Sequence, residues 1–365
     1  MKGLRKYLTP FAPDQSGAVS VLYGLGGILI ICDAGGCVGN ICGFDEPRWQ
    51  EKRSAIFSAG LRDMDAIMGR DELLVKKLKM AAEQIEASFV ALIGTPVPAV
   101  IATDYHALTR MAERKTGLPV LAVDTNGMDL YDKGASKAYM ELFSRFAGDM
   151  PQRDENGENV SRENSEEKKG LGLLGCDPLD GSDLHAPEKL KAYFEARGET
   201  ELYIYGMEGG LSAIKKAPLV KKNVVLSPSG LAAARYLEKK YGTSYQCMDP
   251  LAELFIREQL QKDPELKKAK KILIIDQQIA ANTMREQLQT EENEITVAGF
   301  FMMDKELKKP GDIRLTEEDQ CRRLLKEGAF DLVIADPVIR RMDKDFRGIF
   351  LEKTQFSISG KMTYD

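Results

Sequence analysis

Three cysteines near the start of the chain are the residues whose type and spacing could do chemistry. Cys32, Cys37 and Cys42 follow one another at two five-residue steps in ICDAGGCVGNICGFDEPRW, with glycines between them. Thiolates in a glycine-rich backbone, with amide groups directed at sulfur, are what an iron–sulfur cluster requires. Cys37 also lies where a helix is predicted to begin, and the unpaired N–H groups there favour a thiolate. This loop is therefore a candidate cluster site.

The spacing alone leaves a second interpretation open. Two C-x-x-x-x-C steps match neither the bacterial nor the plant ferredoxin pattern, and buried cysteines are common beside parallel strands. Packing suits Cys32 best, because it lies within a predicted strand. Other metal and nucleotide chemistry has little support: the chain has only two histidines, and none of its predicted strand ends is a G-x-G-x-x-G or a G-x-x-x-x-G-K-[ST] motif.

Composition narrows the class of protein. The 365 residues exceed one ordinary core, so we expect two or three domains. A net charge of −5 without a basic tract gives no indication of nucleic acid or an anionic membrane as partner. The most apolar run, GLGGILIIC at 24–32, is too short to cross a bilayer, and the start lacks a signal-peptide core. We therefore expect a cytoplasmic protein without a disulfide framework.

The elements that must position these residues alternate between strand and helix. Short β-branched runs such as GILIICD and SFVALIG predict buried parallel strands, and amphipathic segments such as 70–85 predict the helices between them. One helix is predicted over 99–117 and ends at Gly117. The pattern repeats in three α/β units, in which ligands bind at the carboxyl ends of strands. The predicted division is an N-terminal domain with the cysteine loop, a polar linker, a middle domain and a C-terminal domain, at 1–148, 149–170, 171–262 and 263–365.

The order of these segments resembles the component 1 subunits of nitrogenase and nitrogenase-like oxidoreductases. The resemblance rests on PDQSGAVSVLYGL followed by DAGGCVGN, on the block GRDELLVKKLKMAAEQIEASFVALIGTPVP, and above all on LGLLGCDPLDGS with NVVLSPSGLAAARYLEKKYGTSY. The family's three Rossmann-like parallel-sheet domains agree with the fold class that the pattern predicts independently.

Carried over residue by residue, the resemblance is partial. Cys37 matches the family's second cluster cysteine. The first would fall near Pro13 or Asp14 and the third near Thr95 or Pro96, and no thiol is present at these places.

Other residues of this chain could replace the missing ligands. Cys32 and Cys42 could join Cys37 around a cluster of the 4Fe-4S type. The fourth ligand would then be Asp33, Asp14 or a residue of a partner subunit, because clusters of this family lie at a subunit interface.

The resemblance implies a redox protein that accepts electrons from a separate ATP-dependent iron–sulfur reductase and reduces an unidentified small molecule or cofactor. It further implies a homodimer, or a heterodimer with a related subunit. Ser227 stands at the family's cofactor cysteine and the C-terminal histidine of that site is absent, so no iron–molybdenum-type cofactor is expected. The alternatives are a non-catalytic scaffold for cofactor assembly and a cluster-free α/β protein that binds a small molecule. Whether the chain is an enzyme stays open.

Overall fold

The computed structural model describes residues 5–62, 64–65, 71–148 and 168–363. It contains three sheets in which every strand pairs in parallel with its neighbours. The N-terminal sheet has the order β2-β1-β3-β4, with strands Gly27–Ile31 (β1), Ala55–Ser58 (β2), Phe89–Ile93 (β3) and Val120–Val123 (β4). Its two central strands are buried throughout, as expected for a parallel sheet with helices on both faces.

The middle and C-terminal sheets repeat this design. The middle sheet, ordered β6-β5-β7-β8, comprises Leu171–Leu174 (β5), Leu202–Ile204 (β6), Lys222–Val225 (β7) and Ser244–Cys247 (β8). The C-terminal sheet, ordered β11-β10-β9-β12-β13, comprises Lys271–Ile275 (β9), Glu294–Gly299 (β10), Ile313–Arg314 (β11), Leu332–Ala335 (β12) and Ile349–Glu352 (β13). The predicted mixed α/β class with several parallel sheets is therefore confirmed.

Helices connect the strands. In the N-terminal part they are Asp14–Leu22 (α1), Gly36–Asn40 (α2), Asp71–Gln84 (α3), Pro96–Val100 (α4), Tyr105–Thr116 (α5) and Tyr131–Phe146 (α6). Later helices are Pro178–Gly181 (α7), Ala186–Glu195 (α8), Gly210–Lys215 (α9), Leu231–Tyr241 (α10), Pro250–Lys262 (α11), Gln278–Leu288 (α12), Glu318–Glu327 (α13) and Phe356–Ser359 (α14).

Helices α1 and α6 lie side by side and join the sheets. Their backbones approach so closely that a methyl group on Gly17 would overlap the carbonyl of Tyr131, and one on Gly134 would overlap that of Asp14. Helix α6 also packs on α9 and α10 of the middle sheet, so one hydrophobic cluster extends from β1 and β3 to β7. Tyr131, at the start of α6, belongs instead to the core of the C-terminal sheet. The pair thus sets the mutual position of all three sheets.

Two differences from the predicted elements have local causes. The helix predicted over 99–117 is two helices, α4 and α5, because the Asp104 carboxylate accepts a hydrogen bond from the Ala107 N–H and begins a new helix. Gly117, with φ of +71°, ends α5 as predicted. Most of the predicted linker, 149–167, lies outside the described residues, and the domain boundaries stay predictions. Among the helices of the described ranges, none is long and apolar enough to span a bilayer.

Candidate functional site

The cysteine loop begins directly after β1 at Asp33, which is almost fully buried. Its carboxylate accepts hydrogen bonds from the Val38 N–H (2.9 Å) and from the Ser58 hydroxyl (2.6 Å). Gly35 adopts φ of +118°, a conformation that favours glycine, and turns the chain into α2. Asp33 and Gly35 together place Cys37 in the first turn of α2, where the sequence predicted a helix start.

Cys37 and Cys42 lie on one side of the N-terminal sheet. Both are half-buried and pack against the hydrophobic cluster that contains α1. Cys42 is in a π-helical turn, Ile41–Asp45. The Asp45 carboxylate accepts hydrogen bonds from the Ser16 hydroxyl of α1 and from the Asn40 side chain, each 2.7 Å long. These bonds hold the loop against the first turn of α1.

Cys32 lies on the other face of the same sheet. Side chains alternate along β1, so Leu29 and Ile31 face α1 whereas Ile30 and Cys32 enter the core beneath α3 and α5. The structure therefore does not bring the three cysteines together. Across the ranges that the structure describes, no group of three or more His, Cys, Asp or Glu side chains is arranged to hold a metal ion.

The thiols of the loop do not have the lowered pKa that a helix start suggested. Burial, and then the nearby charge of Asp33, raises the pKa of Cys37. Burial and Glu46 do the same for Cys42. Helix α2 has only five residues, so its dipole is weak against these two effects. Thiolate character at these positions would have to come from a bound cation or metal centre.

Exposed apolar side chains lie on the segments that follow β1, β3 and β4. Phe44, Val100 and Met128 are 76%, 85% and 85% exposed, and Val97 is 38% exposed. The segments that carry them adjoin α1 or one another: the π-helical turn is bonded to α1, and a methyl group on Gly127 would contact both Pro96 and Gln15. The Gln15 side-chain oxygen is buried there and accepts no hydrogen bond from the part of the chain that is described. Grouped exposed apolar residues are typical of protein interfaces.

Arg48, which the sequence did not single out, connects this loop to the middle domain. Its guanidinium forms a two-pronged ion pair with Glu46, with both distances 2.7 Å, and donates to the Ser20 carbonyl (2.7 Å) and hydroxyl (3.2 Å). The Ser20 hydroxyl in turn donates to the Asp177 carboxylate, 2.8 Å away. The sequence signal that could have found it is FDEPRW, in which an arginine follows two acidic residues closely.

Asp177 also lies in a cleft between the middle and C-terminal sheets. The cleft has a volume of about 410 Å³. The carboxyl ends of β5, β9 and β13 lead into it through Cys176 and Asp177, Gln277, and Lys353. Cys176 is buried, packs in the core of the middle sheet and lines this cleft. The sequence feature that could have identified Asp177 and Asp180 is GCDPLD, an acidic segment directly after a strand.

Comparison with known proteins decides the family. The family model described as nitrogenase component 1 type oxidoreductase matches residues 14–255, about two thirds of the chain. The chain belongs to this family. The match covers the N-terminal and middle sheets, including the cysteine loop and the Asp177 segment.

Individual relatives of the nitrogenase component 1 type agree with this assignment. The chain is 25% identical over 260 residues to the nitrogenase iron-molybdenum cofactor biosynthesis protein NifE of Clostridium pasteurianum, covering 67% of this chain and 53% of that protein. The NifE of Klebsiella pneumoniae is 26% identical over 198 residues, covering 52% and 41%. The chain therefore spans about half the length of these curated relatives.

Solved structures show the fold. The structure titled Nitrogenase Cp1 at pH 6.5 superimposes with a TM-score of 0.66 at 12% identity, covering 96% of this chain and 87% of that one. A second, Nitrogenase Cp1 at pH 5, gives the same TM-score at 14% identity, covering 96% and 84%. The expected three-sheet architecture of nitrogenase component 1 subunits is thus confirmed.

The residues where the resemblance places the other ligands of the nitrogenase component 1 family have structural roles here. The two Asp14 carboxylate oxygens accept hydrogen bonds from the backbone of Asn126 (2.9 Å) and Gly127 (2.7 Å). The Thr95 hydroxyl donates to the Cys32 carbonyl (2.7 Å). Ser227 is buried and caps the turn after β7. Both oxygens of Asp33 are also occupied, so neither proposed fourth carboxylate ligand is available without breaking these bonds.

Proposed function

We propose that this chain is an iron–sulfur subunit of a nitrogenase-like two-component oxidoreductase, whose cluster is held between two subunits by Cys37 and Cys42 of each. The chain would accept electrons from a separate ATP-dependent reductase and deliver them to a molecule bound in the cleft between its domains. The observation that carries the proposal is the pair of half-buried thiols in a loop at the edge of the N-terminal sheet where exposed apolar side chains follow β1, β3 and β4.

The donor set supports a shared cluster better than one enclosed in a single chain. Cys32 faces the other side of the sheet, and Asp14 and Asp33 are occupied, so one chain offers two thiols. Two chains related by a twofold axis would offer four, the number of ligands of a cubane cluster. Such a cluster supplies one-electron storage at a potential that the protein sets.

The chain's own residues would tune that site. The apolar side chains of Phe44, Val100 and Met128 would exclude water once a second subunit covers them. The hydrogen bonds of Asp33 and Asp45 hold the two cysteine segments against the sheet and α1. Water exclusion and fixed backbone N–H groups are the means by which a protein sets the potential of a cluster.

A scaffold function is the second candidate, and a specific residue favours it. Ser227 replaces the thiol that the family uses to anchor its active-site cofactor, and both NifE relatives described above are named for cofactor biosynthesis. A scaffold would hold a cluster or precursor transiently and transfer it to another protein. The same thiols of Cys37 and Cys42 would serve it.

The test is anaerobic purification with iron and sulfide quantitation, and with electron paramagnetic resonance after dithionite reduction. We expect about four irons per dimer, the content of one cubane, and loss of the iron in Cys37→Ala and in Cys42→Ala. Cys32→Ala should retain the iron, because its thiol lies on the other face of the sheet. Cys247→Ala is the matched control, a half-buried cysteine of the middle domain.

The outcomes separate the candidates. Re-reduction of the cluster by a nitrogenase-type reductase and MgATP supports the oxidoreductase, whereas transfer of iron to an apo-acceptor without such reduction supports the scaffold. A folded dimer that stays free of iron after reconstitution contradicts both and leaves the cluster-free binding protein. Retention of a full iron content by the double Cys37→Ala, Cys42→Ala variant contradicts the ligand assignment.

A further inference from the structure

The cleft between the middle and C-terminal sheets is lined by both apolar and acidic side chains. The apolar ones include Leu226, Leu251, Leu254 and Phe255. The acidic ones include Asp177, Asp180 and Asp249. Its volume of about 410 Å³ is that of a small-molecule site.

Two of the acidic side chains are buried and each has one oxygen without a partner. Asp177 and Asp180 are 6% and 7% exposed. One oxygen of Asp177 accepts from the Ser20 hydroxyl and the Leu179 N–H, both 2.8 Å away, and one oxygen of Asp180 accepts from the Tyr131 hydroxyl. Among the described residues, the second oxygen of each carboxyl group has no hydrogen-bond partner. Buried polar atoms are rarely left so, which indicates that a ligand supplies the missing donors.

The cleft contains more carboxylates than cations. Lys353, at the end of β13, is 2.6 Å from Asp276 and is committed to that pair. Burial raises the pKa of Asp177 to about 6, and burial together with the charge of Asp177 raises that of Asp180 to about 8. Both shifts have the direction expected of buried carboxyl groups that lack a directly paired cation.

We propose that this cleft binds a small organic cation in which an amidinium or ammonium nitrogen is attached to an apolar body. The nitrogen would donate hydrogen bonds to the free oxygens of Asp177 and Asp180, while the body would lie against Leu251 and Phe255. Polyanionic ligands are excluded by the same charges. The proposal rests on the proposed function only in taking this cleft as the substrate site.

Three probes of equal shape and different charge test the proposal. Benzamidine is cationic, benzamide is neutral and benzoate is anionic, and their binding to the purified full-length chain is measured by titration calorimetry. We expect benzamidine to bind roughly tenfold or more tightly than benzamide, because a charge-assisted hydrogen bond is about twice as strong as a neutral one, and benzoate not to bind. No electron transfer is involved, so a failure here leaves the iron–sulfur proposal standing.

The variants keep the shape of the site and remove its charge. Asp177→Asn and Asp180→Asn retain an oxygen for the Ser20 or Tyr131 hydroxyl, and each should weaken benzamidine by roughly tenfold or more. Glu258→Gln, at the exposed mouth of the same cleft, is the matched control and should bind like the wild type. Melting temperature checks that each variant is folded. Equal binding of benzamidine and benzoate, no binding of any probe, or unchanged affinity in both Asn variants overturns the proposal.

Discussion

Replacing Arg48 by methionine should loosen the connection between the cysteine loop and the middle domain. Methionine keeps most of the aliphatic length and removes the guanidinium, which forms the two-pronged pair with Glu46 and bonds to Ser20. The Glu46 side chain is 1% exposed, so its carboxylate would remain buried without a counter-charge. Removal of one partner of a buried ion pair costs about 3–5 kcal/mol. That is a large fraction of the stability of an ordinary domain.

The assay uses the chain's single tryptophan. Trp49 follows Arg48 directly and packs against the same hydrophobic cluster, so its fluorescence reports the local unfolding of this segment. Urea titration of wild type and Arg48→Met, monitored at Trp49, measures the change in the free energy of unfolding. Arg145→Met is the control: its pair with Glu113 is 49% and 33% exposed, and surface pairs contribute about 0–1 kcal/mol.

A second substitution isolates the charge. Glu46→Gln removes the buried negative charge, so the double variant Arg48→Met, Glu46→Gln should be destabilised by less than the sum of the two single changes. The reasoning is refuted if Arg48→Met lowers the free energy of unfolding by no more than the Arg145→Met control. It is also refuted if the two single changes are additive.

Three further outcomes are expected. Because burial raises the folded-state pKa of Asp177 and Asp180 above the unfolded value, stability should fall as pH rises from about 4 towards 8. The double variant Asp177→Asn, Asp180→Asn should therefore show a melting temperature that depends less on pH than that of the wild type. The same pH dependence in both proteins would contradict this prediction. Gly134→Ala should lower stability by about 1–3 kcal/mol or more in urea titration, because the methyl group overlaps the first turn of α1, and a wild-type midpoint would refute the close packing. Asp33→Ala removes two hydrogen bonds from the cysteine turn and should lower the free energy of unfolding by about 1–3 kcal/mol. It should also speed the alkylation of Cys37 by iodoacetamide, measured by mass spectrometry. An unaltered rate of alkylation would show that the turn does not depend on Asp33.

The sequence alone predicted much of the fold because the signals are local. GILII, FVALI and LVIA are buried β-branched or aliphatic runs at strand length, and Gly117 and Gly242 end helices through their positive φ. The helix Tyr131–Phe146 was missed although its buried apolar residues recur at helical spacing. What the sequence did not indicate is that Gly134 and Ser136 are buried too, because α1 packs directly on this helix.

Part of the candidate site could also be predicted from the local sequence. The segment AGGC directly after a strand predicts that Cys37 lies at a helix start, and the residue type alone supplies the thiol. That Cys32 points away from it depends on the face of the sheet onto which the chain folds back, which no local pattern contains. The meeting of Asp177 and Lys353 is likewise a matter of tertiary structure. They are 176 residues apart, and only the packing of the middle and C-terminal sheets around α1 and α6 brings their strand ends to one cleft.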